Sequence, residues 1–328
     1  MDTLPATAKR KRAEESDPET TTPTRSHSIW KPFGDIVLQV ESAQFRVSRD
    51  NLATQSSVFA DMFAVPQPPG EPTVEGCPVV ILSGDKARDW ELLLQVLYDP
   101  FGDQEALSFE VIAAMLRLGR KYGFATAEAN AIRRIHFEYP NNLDIWDRSS
   151  NAFTKIEEYE GLVADILNLA HEFGINSSVP VIAYSCLYMH SLDEIFIGIQ
   201  RPDSSRVVLH PDIQTMLAIG VARITSFQFT SFSWLDNNDV VPSISCTNRT
   251  GCDRGLNDLR RSCVANSRFD APSFFILKTR EGDWWSDHFC HYCAAVAQDA
   301  FNANRVQAWD ALPSFFGLPE WDELKDLQ

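Results

Sequence analysis

Short apolar runs and a helical pattern alternate in the first part of this sequence, and their order limits the folds open to the chain. Residues 36–40 (IVLQV) are β-branched and apolar, and residues 45–47 (FRV) alternate, so together they predict a β-hairpin. A helix is predicted next, with Asp50 as its N-cap and the proline-rich segment 66–72 as its end. Residues 79–82 (VVIL) predict a third short strand. Strands mixed with helices in this way indicate an α+β unit.

Three further helical patterns complete this unit. Helices are predicted to begin at Asp85, Ser108 and Thr126, because apolar residues spaced by three and four follow each of them. Pro140 ends the last helix, since proline cannot continue a helical hydrogen-bond ladder. The first folded unit is therefore predicted to span residues 31–142.

The segments of this unit resemble a BTB/POZ domain. They are residues 35–40 (DIVLQV), 45–47 (FRV) and 52–63 (LATQSSVFADMF), followed by the helices at 90–98 and 109–139. The resemblance implies a small sheet with helical hairpins that mediates protein–protein interaction and forms a homodimer. Candidate surface residues are Leu52, Val58 and Phe59, with a place in the core as their alternative. Ser48 stands where members of the family usually have histidine, so the hydrogen bond of that histidine must be replaced or lost.

The rest of the chain divides into a helical region and a cysteine-containing region. Residues 150–220 show helical apolar spacing, and residues 221–328 contain most of the cysteines. The ending at 309–321 (WDALPSFFGLPEW) resembles the expanded BTB proteins of mushroom-forming fungi. This part of the resemblance implies an architecture and no activity.

Four cysteines of the last region form a candidate zinc site. Cys290 and Cys293 have Cys-x2-Cys spacing, which places two sulfurs on one metal ion, and Cys246 and Cys252 precede them. The substitutes are His288 and Cys263, should one of the four not be a ligand. Buried, inert thiols are the alternative interpretation. A redox Cys-x-x-Cys is disfavoured, because no βαβ pattern precedes it.

Residues 1–30 predict a disordered tail, because they lack hydrophobic period and are rich in threonine, proline and charge. The tail contains a basic cluster made of Lys9, Arg10, Lys11 and Arg12. Such a cluster indicates a nuclear localisation signal, with a solubilising charge run as the alternative. We therefore expect the protein in the nucleus, the cytoplasm or both.

Charge and motifs exclude several classes of function. The chain has 29 Lys and Arg against 45 Asp and Glu, a net charge of −16, and the first 30 residues contribute nothing to this excess. A folded body this acidic is not expected to bind nucleic acid, because that affinity comes largely from Lys and Arg.

Neither a signal peptide nor a membrane-spanning apolar run is expected from the sequence. His171-Glu172 begins like a zinc-protease motif, but the second histidine is missing, so it is interpreted as a helix end closed by Gly174.

The sequence thus predicts a non-catalytic interaction protein that acts through a self-associating BTB-like domain. One alternative is a cullin-3 adaptor that recruits substrates for ubiquitination. Family adaptors often carry an apolar-x-Glu element after the first long helix, and residues 62–67 (MFAVPQ) contain no glutamate. The other alternative is a nuclear transcriptional co-regulator scaffold. An enzyme is disfavoured, because the common catalytic and phosphate-binding motifs are missing from the sequence.

Overall fold

The structure, a computed structural model, describes most of the chain from residue 23 onward. The described residues are 23–65, 70, 72–98, 106–148, 153–236, 240–264, 277 and 284–327. The basic cluster at 9–12 lies outside them.

A five-stranded sheet forms the first layer, in the order β1-β3-β2-β5-β4. The strands are β1 (Thr24–Trp30), β2 (Ile36–Val40), β3 (Ala43–Val47), β4 (Thr73–Val74) and β5 (Cys77–Leu82). Strands β2 and β3 form the predicted antiparallel hairpin, and β5 pairs with β2 in parallel, with Val37 opposite Val79. The three predicted strands are therefore hydrogen-bonded to one another.

Strand β1 corrects the predicted tail, which was placed at residues 1–30. It runs parallel to β3 at the edge of the sheet, with Thr24 opposite Ala43. Ile29 is the one buried residue of β1. The other side chains of this edge strand are mostly polar, so the sequence lacks the apolar alternation from which a strand is predicted. The tail prediction is wrong for residues 24–30, because backbone pairing and not apolar burial holds this segment.

Helices make up most of the other described residues. Those of the first unit are α1 (Arg49–Gln55), α2 (Ser57–Ala64), α3 (Ala87–Tyr98), α4 (Phe109–Tyr122), α5 (Ala125–Glu138) and α6 (Leu143–Arg148). Those that follow are α7 (Leu162–Phe173), α8 (Val179–Met189), α9 (Leu192–Ile197), α10 (Pro211–Ser231), α11 (Arg249–Val264), α12 (Trp284–His288) and α13 (His291–Phe315). A short hairpin of β6 (Ile199–Gln200) and β7 (Arg206–Val207) precedes α10. Helix α10 crosses the predicted boundary between residues 220 and 221, so no domain boundary falls there.

The predicted helix from Asp50 is two helices, because two serines interrupt it. Ser48, not Asp50, is the N-cap of α1, and its hydroxyl accepts the N–H of Asn51. Ser56 ends α1 and caps α2, where its hydroxyl accepts the N–H of Phe59 at 3.0 Å. Side-chain oxygens satisfy free N–H groups at helix starts, so each serine fixes a boundary. Ser48 also donates its backbone N–H to the Tyr98 hydroxyl, so the position that is usually histidine is hydrogen-bonded.

Aromatic side chains fill the centre of the first unit. Phe59 is fully buried and lies 5.8 Å from the Trp90 ring, 5.5 Å from Tyr122 and 5.9 Å from Phe124. Leu52 is buried as well, so Leu52 and Phe59 belong to the core and not to a docking surface. The core alternative is correct for these two residues.

The first unit and the later helices share one continuous core. Helix α4 packs against α7, and Leu107 forms a parallel bridge with Ile156. The Arg120 guanidinium donates to the carbonyl of Phe173 and to the carbonyl of Leu327, near the C-terminus. The first unit is therefore tied to both the helical region and the end of the chain.

The C-terminal segment runs back across the helical hairpins as a clasp, which we define as residues 324–327. Asp326 accepts the N–H of Ser177 at 2.9 Å and lies 2.8 Å from the imidazole of His136. Leu327 donates its N–H to the Gly174 carbonyl. Gly174 has φ 63° at the end of α7, which confirms the predicted helix end after His171-Glu172.

Candidate metal centre

Three separate elements supply the four cysteines of the candidate site. Cys246 lies in the turn before α11, and Cys252 lies in the first turn of that helix. Cys290 is the N-cap of α13, and Cys293 lies in its first turn. Both sulfurs of the Cys-x2-Cys pair therefore lie at the N-terminal end of α13.

Local structure orients α11 toward this end of α13. The Asn248 side chain accepts the N–H of Gly251 at 3.0 Å, and its carbonyl accepts the N–H of Cys252 at 2.9 Å. One turn later, Gly255 packs directly on the His288 carbonyl, and a Cβ at that glycine would collide with it. Glycine therefore permits the close approach that brings Cys252 to the start of α13.

The four sulfurs form one compact group. The Sγ atoms of Cys246, Cys252, Cys290 and Cys293 all lie within 4.8 Å of one another, and the sulfurs of Cys246 and Cys290 are 3.9 Å apart. With Zn–S bonds of ~2.3 Å, a tetrahedral site has sulfur–sulfur edges of about 3.8 Å. The group could hold a metal ion, and its members are the four cysteines predicted from the sequence.

Of the two substitute ligands, His288 is not part of this group. The Nδ1 atom of His288 lies 2.8 Å from the Trp284 carbonyl, and its ring stacks on the Trp284 indole at 4.3 Å. Cys263 belongs to α11, but its side chain lies outside the described residues.

Backbone N–H groups point at two of the sulfurs. Cys290 donates its N–H to the sulfur of Cys252 at 3.2 Å, and Ser243 donates its N–H to the sulfur of Cys293 at 3.3 Å. Both acceptor side chains are fully buried. Donors aimed at sulfur favour the thiolate, which is the form that binds metal. Sequence reasoning missed these donors, because they depend on how two distant segments pack.

The sulfurs differ in how readily they lose a proton. Burial raises the pKa of Cys290, but hydrogen bonds from the backbone of Cys293 and Thr247 outweigh it, and the pKa falls to about 5. Burial raises the pKa of Cys252 to about 12 and also raises that of Cys293. A cation among the four sulfurs would lower the pKa of every one of these thiols, because it favours the thiolate at each position.

Buried aromatic residues lie next to the cysteine group in the sequence and along α13. Trp285 and Phe289 are buried, and the Trp285 ring contacts Phe301 edge-on at 5.6 Å. At the far end of α13, Trp309 stacks on Trp321 at 5.3 Å. These rings belong to the hydrophobic core or pack against it.

A second surface of interest lies on α2. Val58 is 40% exposed, and Met62, one turn later on the same helix face, is partly buried. Val65 follows directly after the helix and is 63% exposed. We call Val58, Met62 and Val65 the α2 stripe. Of the three surface candidates from the sequence, Val58 is the one that the structure exposes.

Comparison with known families agrees with the fold. Residues 27–133, about a third of the chain, match the BTB/POZ domain family. The chain therefore contains a BTB/POZ domain, and domains of this family mediate protein–protein interaction. A mostly helical region with the cysteine group follows this domain. No curated protein matches the chain. Within the described ranges, none of the helices has the length and apolarity needed to cross a bilayer.

Proposed function

We propose that this chain is a non-catalytic interaction protein with two binding regions. Its BTB/POZ domain joins two copies of the chain, and its C-terminal region, stabilised by a structural zinc ion, presents a second binding surface. The match of residues 27–133 to an interaction domain carries this proposal. The four-sulfur group supports the zinc ion.

The α2 stripe supports self-association. Val58 and Met62 are four residues apart, so their side chains lie on one face of the helix, and Val65 extends this apolar surface. Apolar side chains at an interface gain about 25 cal/mol for each Å² removed from water. A second copy of the domain would remove this stripe from solvent.

The chemistry of the cysteines supports a structural ion. Four thiolates in a closed tetrahedron are typical of structural zinc, whereas catalytic zinc keeps one position open for water. Among the described residues of α11, three side chains are buried, those of Cys252, Leu256 and Leu259. The helix therefore gains little stability from the packing of these residues. A metal ion that joins α11 to α13 supplies the stability that these few contacts do not.

Molar mass measured by light scattering tests self-association. The full chain is expected to elute with twice its monomer mass of 37.0 kDa. Val58→Asp should weaken the dimer, because it places a charge in the apolar contact. The matched control is Ile145→Asp. Ile145 is also an exposed β-branched apolar residue, but it lies on α6, so this change should leave the dimer intact. A monomer at every concentration contradicts self-association, and a dimer that Val58→Asp leaves unchanged contradicts this surface.

Zinc content measured on the purified full chain tests the metal centre. After dialysis, which removes weakly held ions from exposed sites, we expect one zinc ion per chain, lost on Cys252→Ser or Cys293→Ser. Cys186→Ser is the control, because Cys186 is a buried free thiol outside the group. A metal-free protein, or zinc retained by both variants, would overturn the proposal.

Two finer roles for the interaction protein remain as alternatives. A cullin-3 adaptor should co-purify with cullin-3 under mild conditions, and absence of any association removes this role. A nuclear co-regulator scaffold should depend on the basic cluster of Lys9, Arg10, Lys11 and Arg12. Unchanged localisation after deletion of residues 1–22 would remove the second role.

A further inference from the structure

Two histidines and an aspartate meet on the surface, far from the cysteine group in the sequence. His171 lies in the last turn of α7, His210 directly precedes α10, and Asp212 lies in the first turn of α10. One ligand atom from each lies within 4.8 Å of the others, and the two imidazole rings are 5.0 Å apart. All three side chains are exposed to solvent.

Asn168 builds this arrangement. It lies three residues before His171, on the same face of α7. Its amide nitrogen donates to the carbonyl of Val208 at 3.0 Å, and its amide oxygen accepts the N–H of His210 at 3.0 Å. These two bonds hold the segment before α10 against α7, so His210 is fixed beside His171. The meeting of the two rings is a consequence of backbone positioning.

The distances suit ligands of one metal ion. Nδ1 of His210 and Oδ2 of Asp212 are 3.5 Å apart. With metal–ligand bonds of ~2.0–2.1 Å, two ligand atoms of a tetrahedral site are about 3.4 Å apart. Nδ1 of His210 accepts the backbone N–H of Asp212 at 3.3 Å, and a metal ion bound at Nδ1 would replace this hydrogen bond. The His171 side chain is exposed and can rotate toward the same point.

The electrostatic setting favours a cation. Asp212 carries a negative charge, and His171 lies at the C-terminal end of α7, where the helix dipole places partial negative charge. The chain as a whole has a net charge of −16, which attracts cations to its surface. Imidazole and carboxylate together are ligands that zinc, nickel and copper ions share.

We propose that His171, His210 and Asp212 bind a divalent ion of the nickel, copper and zinc series. This is a second metal site, independent of the four cysteines, and it has three protein ligands. The remaining coordination positions face solvent and take water or a donor atom of a binding partner. Sequence reasoning missed the site, because 38 residues separate His171 from His210 and no motif joins them.

Calorimetric titration of the untagged full chain with Ni²⁺ tests this site. The protein is first saturated with zinc and dialysed, so that the cysteine group is occupied before nickel is added. We expect one nickel ion per chain. Loss of a residue that only hydrogen-bonds to a metal ligand lowers metal affinity by about 10–100-fold. Loss of a ligand itself, in His171→Ala or His210→Ala, should therefore weaken nickel binding by at least about tenfold. Asp212→Asn should weaken it in the same direction.

His27→Ala is the matched control, because His27 is also exposed but lies on β1, outside this group. It should leave the affinity unchanged. A Cys290→Ser, Cys293→Ser double variant should also keep nickel binding, which separates this site from the proposed zinc centre. The inference would be overturned if wild-type protein bound no nickel, or if His171→Ala and His210→Ala bound nickel with wild-type affinity. Unchanged circular dichroism of the variants establishes that they are folded.

Discussion

Removal of zinc should loosen α11 selectively and leave the BTB/POZ domain unaffected. Helix α11 has 16 residues, and its described buried side chains are Cys252, Leu256 and Leu259. Burial of a leucine contributes about 1.5–3 kcal/mol, so the two leucines stabilise the helix only modestly. Without an ion, Cys252 joins α11 to the start of α13 through the hydrogen bond from the Cys290 N–H, and an ion would add bonds to the sulfurs of Cys290 and Cys293.

The magnitude follows from linkage between metal binding and local opening. An ion that binds only the closed state stabilises it by about 2.7 kcal/mol at 100 times its Kd and about 4.1 kcal/mol at 1,000 times. These values slow amide exchange in α11 by about 100-fold and 1,000-fold, because each 1.4 kcal/mol is a factor of ten. Helices α4 and α5 supply no member of the cysteine group and should exchange equally with and without zinc.

Hydrogen–deuterium exchange followed by mass spectrometry measures this difference peptide by peptide. Wild-type protein is compared in zinc buffer and in chelator, with Cys252→Ser as the variant that should resemble the chelated state in both buffers. Cys186→Ser is the control and should respond to zinc as wild type does, since Cys186 is buried outside the group. Equal exchange of α11 in zinc and chelator would refute the reasoning.

Three further substitutions test the rest of the fold. Phe59→Ala should destabilise the protein by about 3–5 kcal/mol in urea unfolding, because it leaves a cavity among buried aromatic rings. Asp165→Asn should cost about 1.5–3 kcal/mol in the same assay, because it removes the charged partner of Arg201, whose guanidinium is 30% exposed and also donates to the Ser205 hydroxyl. Burial raises the pKa of Asp326, but hydrogen bonds from His136 and the Ser177 backbone outweigh it and lower the pKa. The ionised Asp326 therefore stabilises the clasp above the ordinary carboxylate pKa, and this stability is lost as pH falls below about 4. Amide exchange of the clasp measures this pH dependence, and Asp326→Asn should abolish it.

Short-range patterns predicted much of the BTB/POZ domain. The hairpin at 36–47 and the strand at 79–82 follow from runs of β-branched residues, and both are in the sheet. The helix after Ser108 begins at Phe109 and ends at Gly123, where φ is 67°. These features depend on neighbours in the sequence, so a single sequence is enough to predict them.

Features that depend on polar pairing were harder to predict. Strand β1 has one buried residue, so hydrophobic period gives no signal for it. The break between α1 and α2 depends on the hydroxyl of Ser56, which donates to the distant carbonyl of Tyr122 at 2.5 Å while it accepts from Phe59. A serine within a helical pattern does not reveal such a partner, because the partner is 66 residues away.

The two candidate metal sites separate what the sequence determines from what tertiary structure decides. The Cys-x2-Cys spacing alone predicted that Cys290 and Cys293 place two sulfurs on one metal ion. Their meeting with Cys252 depends on the close approach at Gly255, and the pairing of His171 with a second histidine depends on the two hydrogen bonds of Asn168. Residue types define which ligands are present, but distances between atoms remote in sequence are set by how helices pack, and that packing is a property of the whole core.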